Sequence, residues 1–577
     1  MEKNSVAFGL EKYLKNNLQY FKQFWAISKL FWCSNKKWLA ISLAFMLLVL
    51  LQATTQLSVM SNIQQGNFLS ALAAKDPQRF WTSIGLFLGL QITSVLLWSG
   101  YTYIRFKLIL YWRYWLTNHF ISQYLSNRAF YEISQLHKDI DNPDQRITED
   151  IQGFTEVTFS IFLDVFNTVI QVIAFSGILW AISPNLMIFL LIYSGTATLI
   201  ATGFFGRKLV NINFNQQKKE GNFRFGLIRL RENAESIAFY RGESQETNVL
   251  RSLFEQVYKN LDYWIRWQHL YFGSFIRFYE VIPVILPAIF IAPRVLSGEL
   301  EIGKIAEAQG AFLALFRAMY LIVRRFENLT SLGAGIERLS EFYNILQQPR
   351  TDIKRETVSY PIIKTIENNS IAIQGLTLYT PNYQRTLCQS ISIELQAGQG
   401  LLVQGTSGCG KSSLLRAIAG LWNCGSGTII RPKLEEILFL PQRPYMVLGT
   451  LRQQLVYPQT HANPTDSELH QILQQINLPY LAERFGGFDT EKDWPHVLSL
   501  GEQQRVAFAR ILLAKPKYVI LDEATSALDV KNEESFYQHL LETGATFISV
   551  GHRPSLLKYH QTILELLDSK EWKIQQI

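Results

Sequence analysis

The chain has 577 residues, more than one domain at roughly 100–200 residues apiece. Charged residues make up 18% and aromatics 13%, against about 25% charged in soluble domains. With a mean hydropathy of +0.06, this disfavours both a wholly soluble and a wholly membrane-embedded chain and predicts a division into two parts. The net charge of +8 would suit nucleic acid, but the basic residues cluster beside apolar stretches, where the inner membrane surface attracts them. Nucleic acid is set aside on that ground. The cysteines Cys33, Cys388, Cys409 and Cys424 have no C-x-x-C spacing, so neither a zinc site nor a disulfide framework is implied.

Residues 1–37 carry Leu14, Tyr20, Phe21, Phe24 and Trp25 among lysines, the pattern of an amphipathic helix on the inner, cytoplasmic interface. A membrane-spanning helix then needs about 20 mostly apolar residues. Six stretches within 38–350 meet that length, at 38–60, 80–103, 161–180, 186–205, 272–293 and 302–323. The first contains no charge, is too long for a signal-peptide core and lacks a small-residue cleavage site, so it is read as retained. The connections at 105–160 and 206–270 are long and rich in Arg and Lys, and Lys29, Lys36 and Lys37 precede the first span. By the positive-inside bias, both termini and both long connections face the cytoplasm. Asp164, Arg277, Glu280, Lys304, Glu307 and Arg317 fall within the spans. Intramembrane charges usually face a pathway or a partner; Asp164, Glu307 and Arg317 are the pathway candidates.

From about residue 351 the apolar runs shorten. Leu401-Leu402-Val403 reads as a buried strand and Leu414 to Ala419 as the opening of a helix. Between them, Gly405-Thr406-Ser407-Gly408-Cys409-Gly410-Lys411-Ser412, followed by Ser413, matches the phosphate-binding loop G-x-x-x-x-G-K-[ST] in its strand–loop–helix setting. Glycines let backbone N–H groups converge on phosphate oxygens, Lys411 supplies charge to the β- and γ-phosphates of ATP, and Ser412 offers a ligand to Mg²⁺. Residues 517–523 form an apolar run ending in Asp522-Glu523. Such a strand delivers two carboxylates to the carboxyl edge of a parallel sheet, Asp522 for the Mg²⁺ shell and Glu523 for the attacking water.

The stretch Leu498-Ser499-Leu500-Gly501-Glu502-Gln503-Gln504-Arg505 resembles the signature sequence of ATP-binding-cassette proteins, and it precedes the Asp-Glu strand in the family's order. Gln442 resembles the family's Q-loop glutamine, Ser526-Ala527-Leu528-Asp529 its D-loop and His552 its switch histidine. Tyr379 stands where the family places an aromatic against adenine, with Tyr383 close by as the alternative. The resemblance implies that Gln442 senses Mg²⁺ and couples to the membrane half and that His552 contacts the γ-phosphate. It also implies that Ser499 and Gly501 contact the γ-phosphate held by a second subunit, and that Asp529 is among the nucleotide-binding residues. Leu500 departs from the family's glycine.

Residues 141–147, 235–240 and 444–452 further resemble subfamily D, which holds peroxisomal fatty-acyl transporters, a lysosomal cobalamin-related member and bacterial relatives of the SbmA/BacA type. The implied architecture is a six-helix membrane bundle of exporter-type layout at 38–350, followed by an α/β P-loop nucleotide-binding domain at 351–577. With one phosphate loop and one signature, this is a half-transporter. It is expected to pair with a second copy, or with a sister subunit, in a lipid bilayer such as the bacterial inner membrane. The expected function is ATP-driven movement of a hydrophobic or amphipathic, fatty-acyl-like, peptide or cobalamin-like cargo. An ATP-gated channel or membrane regulator on the same scaffold is the alternative. A soluble cassette ATPase acting on DNA or ribosomes is disfavoured by the six spans.

Overall fold

The structure is a computed structural model that describes residues 21–136, 142–319, 326–347, 362–381, 383–459, 463–567 and 570–577. The chain divides into two compact units, Met1–Asp352 and Ile353–Ile577.

The first unit is helical. Among the described residues, five helical stretches are long and apolar enough to cross a membrane: Lys37–Ala73, Pro77–Ser134, Pro143–Ile182, Pro184–Glu232 and Glu243–Leu296. The sixth expected span is represented by the 17-residue helix Gly303–Met319; residues 320–323 of that stretch lie outside the described residues. The connections at 105–160 and 206–270 are largely helical among the described residues. The second helix runs unbroken from Pro77 to Leu125, and the helices Arg207–Glu232, Ala234–Tyr240 and Glu243–Ile265 follow one another in the second connection. Helix continues past the apolar windows because good helix formers follow without a proline to stop it.

The described part of the N-terminal segment is helical and turns its apolar face inward. Ile27 and Phe31 are buried in one core with Trp112, Phe120, Phe154 and Phe342, and Phe24 packs on Phe154 with ring centroids 5.8 Å apart. Phe21 and Trp25 are exposed, while Leu14 and Tyr20 lie outside the described residues. Asp164 has one buried carboxylate oxygen in the Ile151–Ile182 helix. Arg317 is exposed. Arg277 and Glu280 pair with each other on the surface of one helix. Lys304 lies 2.5 Å from the buried Glu307 carboxylate, and the Glu307 carbonyl accepts a hydrogen bond from Asn62 at 2.8 Å. Glu307 is thereby held in the contact between the Lys37–Ala73 and Gly303–Met319 helices.

The second unit is an α/β domain. Strands β1 (Lys364–Glu367), β2 (Ile371–Tyr379), β3 (Thr386–Leu395) and β5 (Gly425–Arg431) form one sheet in the order β1-β5-β2-β3. Strands β4 (Gly400–Gly405), β6 (Ile437–Leu440), β7 (Tyr518–Asp522), β8 (Thr546–Val550), β9 (Thr562–Leu566) and β10 (Trp572–Gln576) form the other, in the order β10-β9-β4-β8-β7-β6. Here β9, β4, β8, β7 and β6 run parallel. Most residues of β4, β7 and β8 are buried, as covering both faces of a parallel sheet requires. That is why Leu401-Leu402-Val403 of β4 and Val519-Ile520-Leu521 of β7 read as unbroken apolar runs.

His560 lies in this core, against the rings of Tyr537 and Phe547, with Nδ1–H donating to the Leu556 carbonyl at 2.7 Å. Burial holds its imidazole down to about 4, against about 6.5 in the unfolded chain. The unfolded state therefore binds more protons between these values. The stabilisation is complete above the unfolded value and is lost as pH falls toward the folded one. In chemical unfolding of the cassette, the drop in stability from pH 7 to pH 5 is expected to be smaller in His560→Gln than in wild type by about 2 kcal/mol. Equal drops in the two proteins would contradict this.

Candidate active site

The register of the parallel strands brings four sequence-distant segments to one edge. Val403 near the end of β4 and Asp522 at the end of β7 both flank Val550 of β8, and Leu440 of β6 pairs with Leu521. The phosphate loop after β4, Gln442 after β6, Glu523 after β7 and His552 after β8 thus share the carboxyl edge, the usual ligand site of such sheets.

The loop conformation demands its glycines. Gly405, Gly408 and Gly410 have φ of 147°, 83° and 110°, in the region that favours glycine. A Cβ on Gly405 would also stand 2.4 Å from the Leu566 carbonyl oxygen. Thr406, Ser407 and Gly408 are exposed at the loop's outer edge, whereas Cys409 is buried and packs its sulfur toward Gly405. Lys411 opens the helix Lys411–Ile418, is 7% exposed, and donates from Nζ to the carbonyls of Gly405 and Thr406, both at 2.8 Å. Ser412 and Ser413, partly buried, occupy the first turn of that helix.

The Ser412 hydroxyl donates to Asp522 Oδ1 at 3.1 Å. Burial raises the Asp522 carboxyl above its ordinary range; the Ser412 hydrogen bond opposes the rise and the neighbouring Glu523 carboxylate adds to it. A hydroxyl and a carboxylate side by side beneath a phosphate loop fit a hard cation such as Mg²⁺, which takes one or two protein oxygens and completes its shell with water and phosphate. Glu523 has a φ of 48°, so the chain turns sharply at the strand end, and its N–H donates to the Val550 carbonyl at 3.2 Å. Gln442 Nε2 donates to Glu523 Oε2 at 2.7 Å. His552 Nε2 lies 3.9 Å from Glu523 Oε1, too far for a hydrogen bond. A carboxylate oriented by an amide and flanked by an imidazole can position a water and take its proton.

The other expected residues are held elsewhere. Tyr379 ends β2 in the first sheet, with its ring 5.6 Å from that of Tyr383, so both aromatics named for adenine are neighbours. Ser499 caps the Leu500–Ala514 helix in a capping box with Glu502, and a Cβ on Gly501 would approach the Ala527 carbonyl to 3.1 Å. Leu500 is the first residue of that helix and is 39% exposed. Asp529 caps the Val530–Glu542 helix through the Asn532 N–H at 2.8 Å. Two residues of this region, Glu533 and Arg553, carry no signal in the sequence reading, and a third, Gln504, stands in the signature stretch without an assigned role. All three bond into the segment that links Glu523 to Asp529.

A helical membrane unit followed by a parallel-sheet domain with a phosphate loop defines a membrane-bound ATPase. The chain matches the family description "ABC transporter transmembrane region 2" over residues 27–296 and "ABC transporter" over 388–526. An ABC transporter ATP-binding protein of Synechocystis is 43% identical over 94% of this chain and 83% of its own length. ABC transporter D family member 2, chloroplastic, of Arabidopsis thaliana is 37% identical over 96% of this chain and 88% of its own. The human lysosomal cobalamin transporter is 30% identical over 97% of each. The chain belongs to the ABC transporter family, with subfamily D among its relatives. It is a multi-pass membrane protein that binds ATP and couples its hydrolysis to transport across a membrane.

Proposed function

We propose that two copies of this chain form a twelve-span transporter whose ATP sites are each shared between subunits, the phosphate loop coming from one and the signature from the other. The observation that carries this reading is the separation just described. Lys411, Ser412, Asp522, Gln442, Glu523 and His552 gather at one sheet edge, while the exposed Ser499 caps a different helix. Each copy would contribute residues 38–350 as its membrane half and 351–577 as its cassette. Both termini and the cassettes face the cytoplasm, and the bacterial inner membrane fits the basic connections.

In this reading Gly405 to Ser413 wrap the phosphates, Lys411 neutralises the β- and γ-phosphates, and Tyr379 stacks on adenine. Ser412, Asp522 and Gln442 hold Mg²⁺, which when bound offsets charge on the phosphate oxygens. Glu523 orients the attacking water and accepts its proton, Gln442 fixes the Glu523 carboxylate, and His552 donates to the γ-phosphate. Ser499, Gly501 and Asp529 complete the partner's site. The cargo is hydrophobic or amphipathic. Cobalamin, named in one relative, belongs with fatty-acyl compounds and peptides among the compounds to test.

Mixing a Ser407→Cys chain with a Ser499→Cys chain under a mild oxidant tests the shared site, because a disulfide needs Cα atoms within about 7 Å. The expected result is a cross-linked pair formed only in the mixture and increased by ATP. A cross-link that forms within the double variant as a single chain, with none in the mixture, would overturn it.

A further inference from the structure

The phosphate-loop helix and the tyrosine at the end of β2 are joined by Trp422, which stands outside every motif read from the sequence. The helix Lys411–Ile418 is closed by Gly420, whose φ is 69°, and the Leu421 N–H donates back to the Arg416 carbonyl at 2.7 Å. A left-handed glycine ending a helix in this way fixes the direction in which the chain leaves it. Trp422 and Cys424 follow before β5 begins, and between them they engage both main-chain polar groups of Tyr379. The Tyr379 N–H donates to the Cys424 carbonyl at 2.9 Å, and the Tyr379 carbonyl accepts from Trp422 Nε1–H at 2.9 Å. The half-buried indole packs against the core that also holds Leu378, Leu415 and Ile418. It is thus anchored by its apolar body and directs its one donor at Tyr379.

We propose that Trp422 is a positioning residue that holds the Tyr379 ring at a set place relative to the phosphate loop, and so governs affinity for the nucleoside part of ATP rather than for its triphosphate. The proposal rests on the reading above in which Tyr379 stacks on adenine. Its physical basis is preorganisation: a stacking platform that is already in place does not have to be ordered by the ligand when it binds. The two hydrogen bonds tie Tyr379 to the segment that continues the same helix whose first turn carries Lys411 and Ser412. Platform and phosphate cradle are thereby parts of one piece. Without the indole N–H, the Tyr379 carbonyl loses a directional partner and the ring its fixed station, while the contacts of Lys411 and Ser412 stay as they are.

The test compares ATP with inorganic tripolyphosphate, which carries three linked phosphates and no base. Binding of both, steady-state ATPase and thermal unfolding are measured on the full chain in lipid vesicles, for wild type, Trp422→Phe, Tyr379→Ala and the double variant. Phenylalanine keeps most of the apolar packing and removes the donor. In Trp422→Phe, ATP affinity is expected to fall about fivefold, with KM rising in step and kcat unchanged, the pattern of lost uniform binding. Tripolyphosphate is expected to bind Trp422→Phe as it binds wild type. Tyr379→Ala is expected to weaken ATP about tenfold or more, and adding Trp422→Phe to it is expected to have no further effect, because Trp422 acts through Tyr379. Unchanged ATP affinity in Trp422→Phe, equal weakening of ATP and tripolyphosphate, or a Trp422→Phe chain that does not fold would overturn the proposal, the last two by showing a structural role instead. Failure of the underlying reading gives a different result: Tyr379→Ala itself would bind ATP as wild type does.

Discussion

Glu523→Gln is expected to lower ATPase turnover of the lipid-embedded protein about 1,000-fold, the range of a lost general base, while leaving ATP affinity almost unchanged. The substitution is nearly isosteric. Gln442 Nε2, 2.7 Å from Glu523 Oε2, can donate equally to an amide oxygen, so the local geometry survives. What disappears is the negative charge and the ability to take a proton from water. Binding is spared because the loop, Lys411 and the Ser412–Asp522 pair at 3.1 Å are untouched. Nucleotide binding and single-turnover hydrolysis, measured on the same preparation, separate the two effects. Hydrolysis within about tenfold of wild type would remove Glu523 from the role assigned to it.

The largest expected effect on stability falls in the membrane unit. Gly303→Ala places a Cβ 1.9 Å from the Gly66 carbonyl oxygen and 2.4 Å from Ser70 Oγ. The Gly303 N–H already donates to that hydroxyl at 3.0 Å. Neither helix can yield locally, because Asn62 bonds the Glu307 carbonyl one turn away at 2.8 Å and a Cβ on Gly310 would strike the Asn62 amide. Forcing the helices apart should cost about 3 kcal/mol. Gly85→Ala is the control: no heavy atom lies within 4 Å of its Cβ position, and alanine improves helix propensity by up to about 1 kcal/mol. Thermal unfolding in detergent should show a large drop for Gly303→Ala and none for Gly85→Ala. Equal behaviour would contradict the close approach of these two helices.

The sequence makes the nucleotide edge legible because parallel strands announce themselves. Leu401-Leu402-Val403 and Val519-Ile520-Leu521 are apolar without alternation, and each ends where chemistry begins, at Gly405 and at Asp522. Their adjacency across β8 is topology, which motif order implies and periodicity alone does not. The helices outrun the apolar windows, since hydropathy marks membrane thickness while helix length follows propensity and packing. The stretch after Tyr103 is polar enough to look like a loop, yet Trp112 and Phe120 on it are core residues. Glu533 and Arg553 give no sequence signal for another reason. A glutamate in a helix opening with Lys531-Asn532 reads as solvated, and only the fold brings Arg553 and Ser555 onto its buried carboxylate.

The most direct test of ATP-driven transport is cargo uptake into sealed vesicles holding the purified protein, wild type beside Glu523→Gln, with acyl-CoAs, peptides and cobalamin each offered in turn. Accumulation of one compound that requires hydrolysable ATP, and that is abolished by Glu523→Gln, is the result predicted. Passage that depends on ATP binding but proceeds equally in Glu523→Gln would contradict it and identify a nucleotide-gated channel instead.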